Sequence, residues 1–389
     1  RTVSAAISGR RRAHPPRLAG AGGWLISAAM STLAVSSDRP ETRADDRAVG
    51  LWLLSVAGMI FAMAVIGAIT RLTESGLSIM EWAPISGTLP PMSQAEWERL
   101  FALYKTIPEY QQINRGMSLA EFKEIFWWEW IHRLWGRLIG ALFAGGFLIL
   151  LLRRKIRPAL TPHLVAMFVL GGLQGFLGWY MVASGFAERT DVSQYRLAAH
   201  LGLALAIYAY VLWVAFTLLA PAPPASDGAR GLRIGLRAFA GLLAVTILAG
   251  ALVAGINAGL AYNTFPKMAG QWVPSGYWIR EPTWLNPFEN PAAVQFNHRV
   301  LAILTVVAAA GLWLWARTRP LALTARRAFG LLALTAAGQV GLGVWTLLWV
   351  VPVWLGAAHQ AGALTLLAVT VWALTRLSPP ATSPTPARG

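Results

Sequence analysis

Apolar residues gather in eight blocks, near 49–69, 128–152, 162–182, 197–219, 238–257, 294–315, 329–350 and 354–376, separated by stretches that collect charge, proline and asparagine. A helix of about 20 residues crosses the roughly 30 Å of hydrocarbon in a bilayer. Inside it, backbone N–H and C=O groups must bond to one another, so the blocks are read as helices. The pattern predicts an all-α integral membrane protein with eight transmembrane helices. Composition agrees: 56% of the 389 residues are hydrophobic and 13% charged, leaving no folded soluble domain.

Charge sets the orientation. Of the 33 Lys and Arg residues, 21 fall in the tails and in the loops after the second, fourth and sixth blocks, among them Arg153, Arg154, Arg326 and Arg327. Only 5 of the 17 acidic residues lie there, so the net charge of +16 belongs to that side, and both termini are expected in the cytoplasm. Charge so placed reports topology and contact with anionic headgroups of the lipid bilayer, and argues against a nucleic-acid partner. The absence of cysteine excludes disulfides, thiolate ligands and a cysteine nucleophile.

The chain is also written twice. Gly67–Leu77 aligns without gaps on Gly250–Leu260, and Glu129-Trp-Ile-His132-Arg133 on Gln295-Phe-Asn-His298-Arg299. Further on, Gln174–Gly178 aligns on Gln339–Gly343, and Ala198-Ala-His200 on Ala357-Ala-His359. Four spans return a chain to its starting side, so the copies are parallel, related by an axis along the membrane normal. Two pseudo-symmetric four-helix bundles are the expected architecture. They divide the chain into a basic tail 1–48, a first bundle 49–219, a cytoplasmic linker 220–237, a second bundle 238–376 and a tail 377–389.

A long external loop, 70–127, belongs to the first bundle. Ser93-Gln-Ala-Glu96 and Ser118-Leu-Ala-Glu121 are capping signatures, each expected to open a short amphipathic stretch. Trp82, Trp97, Phe101, Tyr104, Trp127 and Trp128 are expected to lay the loop against the membrane interface. The first 37 residues lack acidic side chains and are rich in Arg, Ser and Ala, a composition shared with mitochondrial transit peptides. Met30 opens a more ordinary tail. The expected location is the bacterial inner membrane, with an over-extended or incomplete start, and the mitochondrial inner membrane is the alternative. Trp24–Val35 is too short for a ninth span.

Four of the six histidines belong to the repeat: His132, His200, His298 and His359. Each lies about one turn from the outer end of its span, so all four share one depth. A histidine on the second helix of a bundle can face one on the fourth, as the two axial imidazoles of a haem do. Two haem sites follow, one per bundle; a helix-to-helix hydrogen bond is the competing explanation for any single intramembrane histidine. His14 and His163 have no counterpart and are read as ordinary.

Other residues of the repeat qualify this. Arg133, Arg137 and Arg299 are candidates for haem propionates, with snorkelling to the interface as the alternative. Gln174 and Gln339 occupy matching positions. Gly171, Gly172, Gly175 and Gly178, like Gly338, Gly341 and Gly343, admit either a flat macrocycle or tight helix packing. Symmetry breaks at Glu129, three residues before His132 on the same helical face, where the second copy has Gln295. A carboxylate at that depth points to chemistry in the first bundle, unless it merely pairs with Arg133. Glu74 against Asn257 shows the same asymmetry more weakly.

Four segments carry a family resemblance: Thr70-Arg-Leu-Thr-Glu-Ser-Gly-Leu-Ser78, Glu121-Phe-Lys-Glu-Ile-Phe-Trp-Trp-Glu-Trp-Ile-His-Arg-Leu-Trp-Gly-Arg137, Gly171-Gly-Leu-Gln-Gly-Phe-Leu-Gly-Trp-Tyr-Met-Val-Ala-Ser-Gly185 and Asn263-Thr-Phe-Pro-Lys-Met268. Together they resemble haem A synthase, in the branch of alphaproteobacteria and mitochondria, over about 49–376. The lack of cysteine agrees with that branch. The resemblance implies oxidation of the ring methyl of haem O to the formyl group of haem A, by two hydroxylations and loss of water, for cytochrome c oxidase assembly. It implies a substrate haem between His132 and His200 with Glu129 near the reacting methyl, and a cofactor haem b between His298 and His359.

Two other classes remain at this point: a diheme b-type cytochrome moving electrons between a quinol and a partner, and a haem carrier. Left open are the electron-transfer partner, the oxygen source, assembly as a homo-oligomer and direct docking of a haem O synthase.

Overall fold

The computed structural model describes residues 40–83, 85–186, 189–220 and 229–377. Among them are eight helices long and apolar enough to cross a membrane. They are α1 (Pro40–Leu72), α2 (Leu119–Leu152), α3 (Thr161–Val182), α4 (Gln194–Leu219), α5 (Ala229–Gly255), α6 (Pro291–Arg317), α7 (Leu323–Leu348) and α8 (Val353–Arg376). No β-strand occurs among the described residues. His14, Met30, Trp24–Val35, residues 221–228 of the linker and the tail beyond 377 lie outside them.

Helices α1, α2 and α5 each begin nine residues earlier than hydropathy predicts, α1 inside the stretch read as the basic tail. The capping signature at Ser118 is a complete reciprocal box, Ser118 accepting from the Glu121 N–H while Glu121 accepts from the Ser118 N–H. It opens no separate amphipathic stretch: the helix it starts continues unbroken into the membrane as α2. Likewise α5 starts at Ala229, inside the stretch read as linker, and its Arg233 donates to the Leu377 carbonyl at 2.6 Å. Such polar turns carry a helix beyond its apolar block without a hydropathy signal. At α6 the side chain of Asn290 accepts from the Ala292 N–H and Pro291 takes the first turn, where its missing N–H costs nothing.

The two chain halves meet through α1, α4, α5 and α8, which pack on one another at the centre of the molecule. On the side of the long loops, Arg71 at the end of α1 donates to Asp191 at 2.7 Å and to the Ala254 carbonyl and Asn257 of the second half, tying the halves together.

Aromatic residues of the first loop form a core of their own. Trp97, Phe101 and Tyr104, on the short helix Gln94–Tyr104, bury themselves against Phe122 and Phe126 of the α2 extension and form a second apolar core. Phe101 stacks on Phe122 at 5.0 Å and Trp97 meets Phe126 edge-on at 4.8 Å, contacts worth about 0.5–1.5 kcal/mol each beyond burial. Trp82 and Trp127 stay exposed.

Glu109 is buried beneath this cap, with one carboxylate oxygen lacking any partner. Burial, reinforced by the charges of Glu129, Asp191 and Glu74, pushes its carboxyl up to about 8. A folded pKa above the unfolded one stabilises the fold at acid pH, and that stabilisation is lost as pH rises through about 8. Thermal unfolding of Glu109→Gln should therefore lose the decline that the parent protein shows between about pH 5 and about pH 8; an identical decline in both would place the titration elsewhere.

Candidate functional site

The four repeated histidines share one local construction. In each, the imidazole of an even-numbered helix rests on a glycine of the helix before it: His132 on Gly67, His200 on Gly178, His298 on Gly250 and His359 on Gly343. A Cβ added to those glycines would lie 3.0, 3.0, 3.0 and 2.8 Å from the ring Cε1 atoms, closer than carbon contacts allow. Hydrogen is the only side chain these positions accept with the rings where they are.

In the second half the rings of His298 and His359 stand 6.4 Å apart and perpendicular. One metal ion fits between two imidazole nitrogens at that spacing, each about 2 Å from it. The His298 Nδ1 faces the Thr246 carbonyl at 3.1 Å, an acceptor that holds the proton on Nδ1 and turns the Nε2 lone pair toward a metal. In the first half the buried His132 Nδ1 has no hydrogen-bond partner. An unpaired ring nitrogen at this depth is costly unless a ligand completes it. The second pair thus fits an iron-centred group such as haem.

Gln174 and Gln339 sit beside the fourth-helix histidines. Each amide nitrogen is 3.1 Å from Nδ1 of its histidine and donates to the same residue's carbonyl, at 3.1 Å for His200 and 2.9 Å for His359. They are one turn from Gly178 and Gly343, so each ring is held from two positions of one helix.

Glu129 is 3% exposed and accepts four hydrogen bonds: from Ser78 Oγ at 2.7 Å, the Ile79 N–H at 2.8 Å, and Arg133 Nε and Nη2 at 3.1 and 2.6 Å. Arg133 also donates to the Ile79 and Glu81 carbonyls. The second half repeats this clamp. Arg299 donates to Gln295 and to the carbonyls of Tyr262 and Thr264, while the Gln295 amide donates to the Ala258 carbonyl. One turn deeper on α2, Arg137 donates to the Ala83 carbonyl at 2.8 Å. The charged and amide groups at the two sites therefore hold the strap that follows the first helix of each half. Glu74 is the exposed residue just past α1, in the left-handed conformation (φ 51°) that its counterpart Asn257 also adopts (φ 53°). His163 is satisfied by Tyr210 Oη at 2.6 Å.

Gly67, Gly250, Ser78 and Thr246 join the site although sequence reasoning gave them no role. The two glycines did leave a signal, since they open the aligned strings of the repeat. Ser78 and Thr246 leave none. Valine at Gly178 or Gly343 should push the imidazole off its position and weaken haem retention at that site alone by about 10–100-fold, read as haem per chain in a titration; unchanged retention would show that the ring can yield.

By fold and site this is a polytopic helical membrane protein with paired intramembrane imidazoles. Residues 50–371 match the family described as cytochrome oxidase assembly protein. The chain is 54% identical over 353 residues to a haem A synthase of Rhodospirillum centenum, covering 90% of this chain and 94% of that protein. It is 49% identical over 342 residues to a haem A synthase of Parvibaculum lavamentivorans, covering 87% and 96%. With a haem A synthase of Nitrosospira multiformis the identity is 47% over 344 residues, covering 88% and 96%. The chain belongs to the haem A synthase family and is an oxidoreductase.

Proposed function

We propose that this protein converts haem O to haem A for cytochrome c oxidase, in the first half of the chain, and keeps a haem b in the second. The observation that carries this reading is the imidazole-on-glycine construction, present four times at matched positions in a chain of this family. His132 and His200 hold the substrate haem, and His298 and His359 the cofactor. Bound haem iron supplies the redox chemistry for oxidising the ring methyl to a formyl group. The chain's own residues position and polarise. The glycines and Gln174 and Gln339 set the ring planes of the ligands. Glu129, locked by four donors, keeps one orientation beside the first site and stabilises positive charge developing at the methyl. Arg133, Arg137 and Arg299, fixed by strap carbonyls, place positive charge where haem propionates are the matching groups.

The surrounding architecture in this reading is two parallel four-helix bundles, with both termini cytoplasmic in a bacterial inner membrane. Clustering of basic residues on one side and alignment of four segments in the same order in both halves support it. An electron-transfer partner accepts the electrons, and a haem O synthase supplies the substrate.

The test is extraction of pigments from the purified protein after incubation with haem O, with identification by mass. Haem A is the expected product. Unmodified haem b alone, with added haem O recovered unchanged, would leave a diheme electron carrier as the better description.

A further inference from the structure

The two halves carry the same ligand sets but are not equally closed. In the second half α6 and α7 pack closely, whereas their counterparts α2 and α3 barely meet. The contact between α2 and α3 is marked by Phe143 and Phe168, stacked at 6.3 Å. Only 6% of the most apolar stretch of α2 and of α3 is buried, against 22% and 17% for α6 and α7.

The exposed face of α3 beside the first site differs between the copies. Gln174 and Gly178 mark the face of α3 that touches His200, and Gly171 and Gly175 lie on that same face by helical spacing. A Cβ added to Gly171 or Gly175 would meet nothing within 4 Å, which rules out close helix packing there. The repeat places Ala336 and Val340 at these positions in α7, and Ala336 is buried where Gly171 is exposed. This face of α3 thus stays open at positions where α7 carries side chains.

A short strap crosses the loop end of the gap. Residues 79–83 run down the side of α2, their carbonyls capped by Arg133 and Arg137. Irregular backbone at membrane depth needs such internal partners, since lipid offers none. Trp82 of this strap meets Trp179 of α3 edge-on at 6.3 Å, and both rings are largely exposed.

We propose that the first half has a lateral portal to the bilayer between α2 and α3, spanned at its loop end by the 79–83 strap, through which the apolar haem substrate enters and the product leaves. The closed α6–α7 pair explains why the second haem is retained. A macrocycle with a long apolar side chain partitions into lipid, so a sideways route spares it a passage through water. This inference rests on the substrate assignment to the first half.

The natural chain has no cysteine, so a pair can be introduced on a clean background. Trp82→Cys with Trp179→Cys, bridged by a short reducible bismaleimide, ties the strap to α3. Haem O is offered in phosphatidylcholine vesicles, and its uptake is followed by the absorbance of bis-imidazole haem. Bridging should slow uptake at least tenfold, reduction of the linker should restore it, and haem in the second half should not change. A second variant, Gly171→Ala with Gly175→Val, grafts the α7 residues onto α3 and should slow uptake without any linker. Uptake at the unmodified rate in both the bridged protein and the graft overturns the portal, whatever the conversion activity. Slowed uptake together with absent conversion in the unbridged protein leaves the portal standing and removes the synthase reading instead.

Discussion

Alanine at His298 or at His359 empties the second-half site of haem and stops conversion, while haem added to the first half still binds. The rings stand 6.4 Å apart, and each is the sole imidazole on its side of the proposed iron. Removing one therefore halves the axial ligation and leaves a void where the ring rested on Gly250 or Gly343. The remaining histidine is fixed and does not swing to compensate: His298 by the Thr246 carbonyl, His359 by Gln339. Loss is expected to be complete for haem b, going from one per chain to none, because a single axial ligand in an enlarged pocket holds haem weakly. Conversion then fails for want of a path for electrons. The measurement is haem content by absorbance and extraction. An unchanged haem content in either variant would remove the assignment of this pair, and with it the reading of the repeat as two haem sites.

Glu129→Gln is expected to keep both haems and lose conversion, by about a hundredfold or more. The second half shows that glutamine can occupy this position in a clamp of the same form, since Gln295 accepts from Arg299 and donates to a strap carbonyl. The first half is built for a carboxylate, however. Both Ser78 Oγ and the Ile79 N–H donate to one Glu129 oxygen, and an amide nitrogen there would set donor against donor at Ile79. Arg133 would also lose its charged partner, at a cost of about 1–3 kcal/mol to the strap. Two effects are thus separable. A loss of stability in proportion to the loss of activity, reproduced by Ser78→Ala, would make Glu129 a strap anchor only. Loss of conversion with an unchanged melting temperature and haem content identifies its charge as the functional element. Full activity in Glu129→Gln would remove any role in the reaction.

The eight spans were legible because crossing hydrocarbon demands length and apolarity, both of which are written residue by residue. The four histidines were legible because duplication places like residues at like positions. Glu129 stood out by breaking that duplication, and its pairing with Arg133 was the stated alternative, but its bonds to the strap could not be foreseen. Two of its four donors, Ser78 Oγ and the Ile79 N–H, lie in a strap some fifty residues away. A backbone carbonyl or N–H has no signature in a sequence, so the destinations of Arg133, Arg137 and Arg299 were hidden for the same reason.

By itself the sequence determined the number and order of the helices, the sidedness of charge and the internal repeat, and singled out four histidines as candidate haem ligands. These follow from local quantities: transfer free energy summed along a helix, charge counted by loop, and residue type at aligned positions. Only tertiary structure decided that each imidazole rests on a glycine of the preceding helix, that the first loop folds into its own aromatic core, and that α2 and α3 part where α6 and α7 close. Those depend on the separation and rotation of whole helices, which are set by packing between surfaces far apart in the chain and so have no local signature in it.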